Sequence, residues 1–527
     1  MSEDSQTVVP GWWPKLMGGF LFALLVPVGL AWGVPGGTTL RPWQLTGMGL
    51  FGGWLLLRRL RRLPPLASRR VSMRRWLAAL VGSATLSWLA VALYARWSFR
   101  LNGLDYSIFD WMLASSSRGH FMWAPLCSCN HFLLHPSYWM LLLWPLHRLC
   151  NSSYLLQLVH VAVMLLALVP LWHLSHHYLA TTWQRALLLA LYLTHAWSGA
   201  LLDYGFHIEV FYLPAGLTLA WGWVSRRQPL LILGVLGYLA TKEDGALTLL
   251  AFAGTAGILE PHRRRTAGTL AVVSLSVFLC NRFGVQGWAA NGHEPAAYLA
   301  YWGDFGSTLP GILGGMLQRP GLLLARLARA QWPQLLLAFA GLPLLAPLQL
   351  AAALPTLLLL SSSDVPMMWR MRLYYPAPAL PFLYWGLLVG WARLQRHGRW
   401  RRDKQAAAIA WAALCCLLPL IGGGYARYSA PRLDIERELA ELIVRLPLPQ
   451  GPVCAQTSLH PHLPYSWDLR GLSDACLAEP GALALAHPAT VPYPRTRAAL
   501  EDLIAAQVGV QRGPTGLCWW VVPMTAP

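Results

Sequence analysis

Acidic residues are scarce in this chain. It has 22 Asp and Glu against 41 Lys and Arg, and only 12% of its 527 residues are charged. Between Asp4 and Asp203 the sole carboxylates are Asp105 and Asp110. With 56% hydrophobic residues and a mean hydropathy of +0.43, a soluble fold could not cover so much apolar surface. The class is therefore a mainly α, polytopic membrane protein. The formal charge of +19 does not point to nucleic acid, because the basic residues cluster in short loops beside apolar segments. Lys and Arg placed there encode orientation in a bilayer. The nine cysteines show no metal-ligand spacing, and the Cys127-x-Cys129 pair is so closely spaced that it reads as incidental rather than as a disulfide.

Apolar segments at 16–34 and 40–57 form an N-terminal addition. Residues 58–75, with eight arginines and no acid, mark the cytoplasmic side. The span at 76–96 then leads outward and places Asp105 and Asp110 on the outer face. Residues 136–149, rich in Trp and Tyr and too short to cross, are expected to lie along that surface. Further spans follow at 154–172, 186–202, 208–224, 229–241, 246–259, 267–281, 333–347, 348–361, 374–392 and 405–422, which makes thirteen by direct tally and 11–13 transmembrane helices expected. On this tally the basic loops at 225–227, 260–265 and 393–404 all fall inside with 58–75. Nine of the ten carboxylates between Ser5 and Arg402 fall outside, with Glu260 the exception. Acidic residues contribute little to orientation, so this bias marks the outer face as the working face.

Three units result: 1–75, the N-terminal addition with its basic loop; 76–424, a transmembrane domain with outer loops 97–153 and 282–332; and 425–527, a small soluble α/β domain carried on the outer side. The last has helical patterns at 433–445 and 497–508, strand-like runs at 453–456 and 517–522, and no segment able to span.

Asp105 falls near the start of an amphipathic helix with Ile108, Trp111 and Met112 on its apolar side. It either caps that helix or serves as a general base. Asp110, a second candidate for catalysis, is more simply read as a solvent-facing carboxylate. His131 and His135, four apart, share a helical face, and without a third ligand they suit packing or substrate hydrogen bonding better than metal. Asp203, His207 and Glu209 interrupt two apolar spans; this is either a polar turn or part of a site. Lys242 opposes the orientation rule and is either neutralised by Glu243 and Asp244 or bound to an anion such as a lipid phosphate. The same choice applies to Arg370 and Arg372, beside Tyr374 and Tyr375.

The ordered motifs LDYSIFDW, RGHF and NHFLLHPSYWMLLLWPLHRL resemble the first outer loop of GT-C-type membrane glycosyltransferases. DYGFHIEVFYLP, TKEDGAL, YWGDFGS and the late Tyr-Tyr pair resemble an uncharacterised family of bacterial integral membrane proteins considered GT-C-like. The resemblance spans roughly residues 76–527. It implies a polyprenyl-phosphate-linked sugar as donor and a hydroxyl acceptor, with transfer on the periplasmic face of a bacterial inner membrane. Asp105 matches the acidic catalytic position, and Lys242 and Arg372 become candidates for the lipid phosphate. The chain departs from the pattern in having a lone first Asp instead of an acidic pair, which leaves a divalent cation (magnesium or manganese) an open question. It departs again in having two additional spans at its start. A transporter or flippase, or a scaffold displaying 425–527, are the rival readings; the absence of internal repeats speaks against the first.

Overall fold

The structure is a computed structural model that describes residues 6–9, 69–99, 101, 103–290, 297–371, 373–396, 432–446, 449–491 and 495–524. The expected spans at 16–34, 40–57 and 405–422 lie outside the described residues, as do Glu294, Arg372 and most of the loops 58–75 and 393–404.

Strand β1 (Gln6–Val9) pairs antiparallel with β2 (Arg69–Ser72). Ser72 caps α1 (Met73–Trp97), accepting from the Arg75 N–H. At 25 residues α1 is about 37 Å long, enough to cross a hydrocarbon core of about 30 Å. Next come α2 (Gly103–Ser117), the short pair β3 (Trp123–Ala124) and β4 (Cys129–Asn130), and a single turn at His131–Leu134. Cys127 and Cys129 are disulfide-bonded across the β3–β4 turn, with Cα atoms 5.3 Å apart. This corrects the reading of that pair as incidental: a left-handed residue, Ser128 (φ 48), folds the chain back tightly enough to bring the two side chains together.

Helix α3 (Trp139–Cys150) packs on α2 and leaves Leu142, Leu146 and Leu149 exposed along one stripe, as expected of a helix lying at a membrane surface. Four stretches among the described residues are long and apolar enough to cross: α1, Tyr154–Ser175, Thr182–Leu202 and Pro261–Ala290. The second comprises α4 (Tyr154–Leu166) and α5 (Leu168–Ser175), and the third α6 (Thr182–Thr194) with most of α7 (Ala196–Tyr204). Between the third and fourth lie three shorter helices: α8 (Tyr212–Ser225), α9 (Gln228–Leu239) and α10 (Gly245–Leu259). The fourth carries α11 (Arg264–Leu279) through a π-turn to Ala290, so the expected outer loop 282–332 begins as helix. That loop also contains α12 (Leu309–Gln318) and α13 (Pro320–Arg329).

The expected span at 333–347 is not a crossing helix. It is a seven-residue helix, Trp332–Ala338, followed by a turn in which Ala340 and Gly341 take positive φ, and by a 3-10 turn at Leu342–Leu345. Part of its apolar surface (Leu335, Leu336, Phe339 and Leu342) is buried, with the 3-10 turn packed on α15 (Leu380–Arg396), which follows α14 (Pro347–Ser362), while Leu337 and Leu344 stay exposed.

The C-terminal domain holds α16 (Leu433–Arg445), α17 (Arg497–Ala505) and a five-stranded mixed sheet. Its strands are β5 (Val453–Ala455), β6 (Leu469–Gly471), β7 (Leu483–Ala486), β8 (Gln511–Arg512) and β9 (Cys518–Val521), in the order β6-β5-β7-β9-β8. A disulfide joins Cys454 to Cys476. Phe99 and Trp111 from the membrane part share one buried cluster with Ile435, Leu439 and Leu459, so the domain is docked by a common core.

The bundle has two chemically distinct ends. The starts of α8, α10 and α15 and the end of α1 lie with α2; the opposite ends of the same helices carry Arg226, Glu260, Arg263, Arg393 and Arg396. The short helices α8, α9 and α10, of 14, 12 and 15 residues, are about 18–22 Å long. That is less than the hydrocarbon thickness of about 30 Å, a length at which the ends of a spanning helix lie below the bilayer surface.

Candidate functional site

Asp105 lies in the first turn of α2, and its carboxylate accepts a hydrogen bond from the Tyr204 hydroxyl. The other carboxylate oxygen has no hydrogen-bond partner among the described residues. Tyr204 ends α7, and Gly205 follows with φ +93, a conformation that L side chains rarely adopt. A Cβ there would also stand 3.1 Å from Leu101, so this glycine permits the turn that brings His207 and Glu209 back toward Asp105.

His207 is hydrogen-bonded through Nδ1 to Glu209, whose other oxygen accepts from Lys242 Nζ at 3.1 Å. The imidazole of His207 lies flat on Tyr374, with centroids 3.5 Å apart, and Tyr374 contacts both Tyr204 and Tyr375. His135 Nδ1 meets Glu243 Oε1 at 2.9 Å. Tyr212 donates to Asp244 at 2.5 Å, and Gly245 has no room for a Cβ because the same tyrosine ring would lie 2.8 Å away. Phe109, one turn along α2 from Asp105, packs edge-on against both His131 and His207 at 5.1 Å.

Burial raises the pKa of Asp105, against the pull of the Tyr204 hydrogen bond and the charges of His135 and Lys242. Burial likewise lowers His131 to about 3 and His207 well below its ordinary value, so both rings are neutral near pH 7. Burial opposes ionisation of Glu243, but His135 and Lys242 more than offset it and its pKa falls. Three buried polar atoms of the site remain without a partner among the described residues: both ring nitrogens of His131 and Oε2 of Glu243. Buried polar groups are rarely left so, and here they line a cluster with acid, base and cation together.

The structure thus brings together Asp105, His131, His135, His207, Glu209, Lys242, Glu243, Asp244, Tyr374 and Tyr375 at one end of the bundle. Asp203 occupies the last turn of α7 beside Tyr204. Arg370 does not join by any hydrogen bond among the described residues; its guanidinium lies over the Trp369 ring at 4.9 Å. Arg372 lies outside the described residues, but its neighbours Met371 and Leu373 both take positive φ, 51° and 60°. Backbone strain of this kind gathers at functional sites.

Asp110 is placed elsewhere. Five residues along a helix is a rotation of about 140° from Asp105, and Asp110 points to the C-terminal domain. It is fully buried and accepts from the Tyr465 hydroxyl at 2.9 Å, with His147 Nε2 3.3 Å away. This corrects the expectation of an amphipathic α2 with a solvent-facing Asp110: the C-terminal domain covers the side left for water. Tyr204 is the functional candidate that sequence reasoning missed. A tyrosine adjoining Asp203 at the end of a span was the available signal.

Among the described residues no three His, Cys, Asp or Glu side chains form a group able to hold a metal ion. Glu209 is engaged by His207 and Lys242, and Glu243 by His135. Among the described residues these side chains do not fit a divalent cation.

Fold and site describe a mostly helical, multi-pass membrane protein with a small C-terminal sheet domain. The chain belongs to the family described as "Predicted membrane protein (DUF2079)", whose profile matches residues 95–463. The match begins beside Arg96 and ends beside Pro461, two residues joined by a hydrogen bond of 3.2 Å, so it takes in both sides of the domain junction. No curated protein matches the chain. Among solved structures, it is similar to ArnT from Cupriavidus metallidurans bound to undecaprenyl phosphate, with a TM-score of 0.47, 13% identity, and coverage of 86% of this chain and 99% of that one.

Proposed function

We propose that the chain is a membrane glycosyltransferase of the GT-C type. It transfers a sugar from a polyprenyl-phosphate-linked donor to a hydroxyl acceptor on the periplasmic side of a bacterial inner membrane. The observation that carries this reading is the convergence of Asp105 and Lys242, more than a hundred residues apart in the chain, in one partly buried polar cluster at the recessed end of short helices. Asp105 is the general base: its unpartnered oxygen accepts the acceptor's proton, and a carboxyl raised by burial is better matched to that task near neutral pH. Tyr204 holds the carboxylate by its other oxygen. The ammonium of Lys242 stabilises charge developing on the departing lipid phosphate, while Glu209 positions it. The unpartnered atoms of His131 and Glu243 and the Tyr374–Tyr375 rings receive sugar hydroxyls and ring faces. Asp203, Arg370 and Arg372 are proposed to complete substrate contacts at the rim.

The recess supports a lipid-linked donor, because a phosphate at headgroup level reaches groups set below the ends of full-length spans. The Cys454–Cys476 disulfide supports a periplasmic C-terminal domain, since such bonds persist in oxidising compartments. The experiment is transfer from a labelled polyprenyl-phosphate sugar by the purified full-length protein. Loss of transfer in Asp105→Asn, with the protein still folded, is the expected result. Wild-type transfer by that variant would overturn the assignment.

A further inference from the structure

At the end of the bundle opposite Asp105 lies a cavity of about 440 Å³. Arg226, Arg263, Arg393 and Arg396 line it, with Glu260 as the one carboxylate in the lining among the described residues. Glu260 lies 3.6 Å from Arg263, and Arg263 also donates to the Trp223 carbonyl; Arg393 donates to the carbonyl of Leu345. Among the described residues the side chains of Arg226 and Arg396 have no ion-pair partner. The orientation rule explains why basic residues are on this side, but not why they converge on one recess. Like charges gathered in a concavity repel unless an anion enters.

Two further features point the same way. Helix α14 begins in the cavity wall with Pro347, Leu348 and Gln349, and no side chain caps it. Pro347 has no N–H, so the first N–H groups of the helix, those of Leu348 and Gln349, and the positive end of its dipole belong to lining residues of the recess. The hydroxyl of Tyr178 accepts from Trp385 Nε1 at 2.8 Å, and its own proton has no acceptor among the described residues. Trp223 and Trp385 add flat apolar walls next to these donors. The volume is that of a small-ligand site, and the donor set suits a phosphate.

We infer that this cavity is a binding site for a phosphate-bearing anion, taken from an anionic phospholipid headgroup or from a free phosphate compound. It is separate from the transfer site and independent of the reading given to that site. Arg226 and Arg396 supply the uncommitted charge, the start of α14 supplies backbone donors, and the indoles pack against the glycerol or carbon portion of the ligand.

The test uses the full-length protein in nonionic detergent, titrated with short-chain phosphatidylglycerol, short-chain phosphatidylcholine or inorganic phosphate. Thermal shift and native mass spectrometry read binding. Phosphatidylglycerol is expected to bind in preference to phosphatidylcholine. Inorganic phosphate binding as well would identify a free anion as a source, and its failure to bind would identify the lipid. The double variant Arg226→Gln/Arg396→Gln is expected to weaken binding at least about tenfold. The double variant Arg264→Gln/Arg265→Gln, an equal loss of charge on exposed residues outside the cavity, and Arg265→Gln alone are each expected to leave it within about twofold. If the double variant does not fold, Arg396→Gln alone, at an exposed position, carries the same prediction. Binding by neither phosphatidylglycerol nor phosphate, equal binding of phosphatidylcholine, or equal loss in Arg265→Gln would overturn the inference.

Discussion

Asp105 carries opposite consequences for activity and stability. Its pKa is raised in the fold, so the native state holds its proton to higher pH than the unfolded chain does. Its contribution to stability is therefore most favourable below the unfolded pKa and declines as pH rises through the folded one. Asp105→Asn keeps an acceptor for Tyr204 and removes the buried charge. Transfer is expected to fall by about 10²–10⁴-fold, while the melting temperature at pH 7 stays level or rises. A marked drop in melting temperature would show that the charged form is structurally required. The same shift places the acid limb of kcat/KM above the ordinary carboxylate range, with activity falling as pH is lowered through it; a limb near pH 3.8 or below would contradict this. Lys242→Gln is expected to reduce transfer by about 100-fold. Glu209→Gln, which retains the lysine, is expected to do less, and kinetics on the two variants separate charge supply from positioning.

At the scale of elements, α2 is the informative case. Its sequence showed the first carboxylate and the start of the helix, but not that both sides would be covered. The residues that cover Asp110 and Trp111, Tyr465 and His460, lie some 350 positions later, and no local periodicity records them. Helices with one lipid-facing side, α1, α4 and α5, α9 and α10, were legible because composition and length suffice to find them. The stretch 333–347 was not, since composition does not reveal the turn at Ala340 and Gly341 that breaks the helix after seven residues. The site was legible as polar islands interrupting apolar segments; their pairing depends on loop geometry such as Gly205. Tyr465→Phe tests the hidden side of α2: it removes both contacts to a fully buried carboxylate and is expected to cost about 1–3 kcal/mol, read as a lowered melting temperature. An unchanged melting temperature would mean that His147 alone satisfies Asp110.

At the scale of the whole molecule, the C-terminal domain is fixed by Arg96, which donates to Glu436 at 2.7 Å and to the Pro461 carbonyl. The His462 ring, with Nδ1 3.4 Å from the carboxylate, and then Arg96 hold Glu436 down to about 2 from 4.5. A depressed carboxyl stabilises above its unfolded pKa and loses that contribution as pH falls, so docking is expected to loosen between about pH 4.5 and 2. Hydrogen exchange across α16 should report this loosening, and Glu436→Gln should show faster exchange already at pH 7. Equal exchange in wild type and variant across that range would place the anchor elsewhere.

A rod of about four turns carries the proposed proton acceptor on one flank and the seat of the sheet domain on the other. That lobe is thus no detachable ornament: trading it for an unrelated fold would strip the backing from the rod and tilt the acid out of register. Lineages are expected to inherit both parts as a single unit, and chimeras joined at this seam to be inactive even when each half is well made.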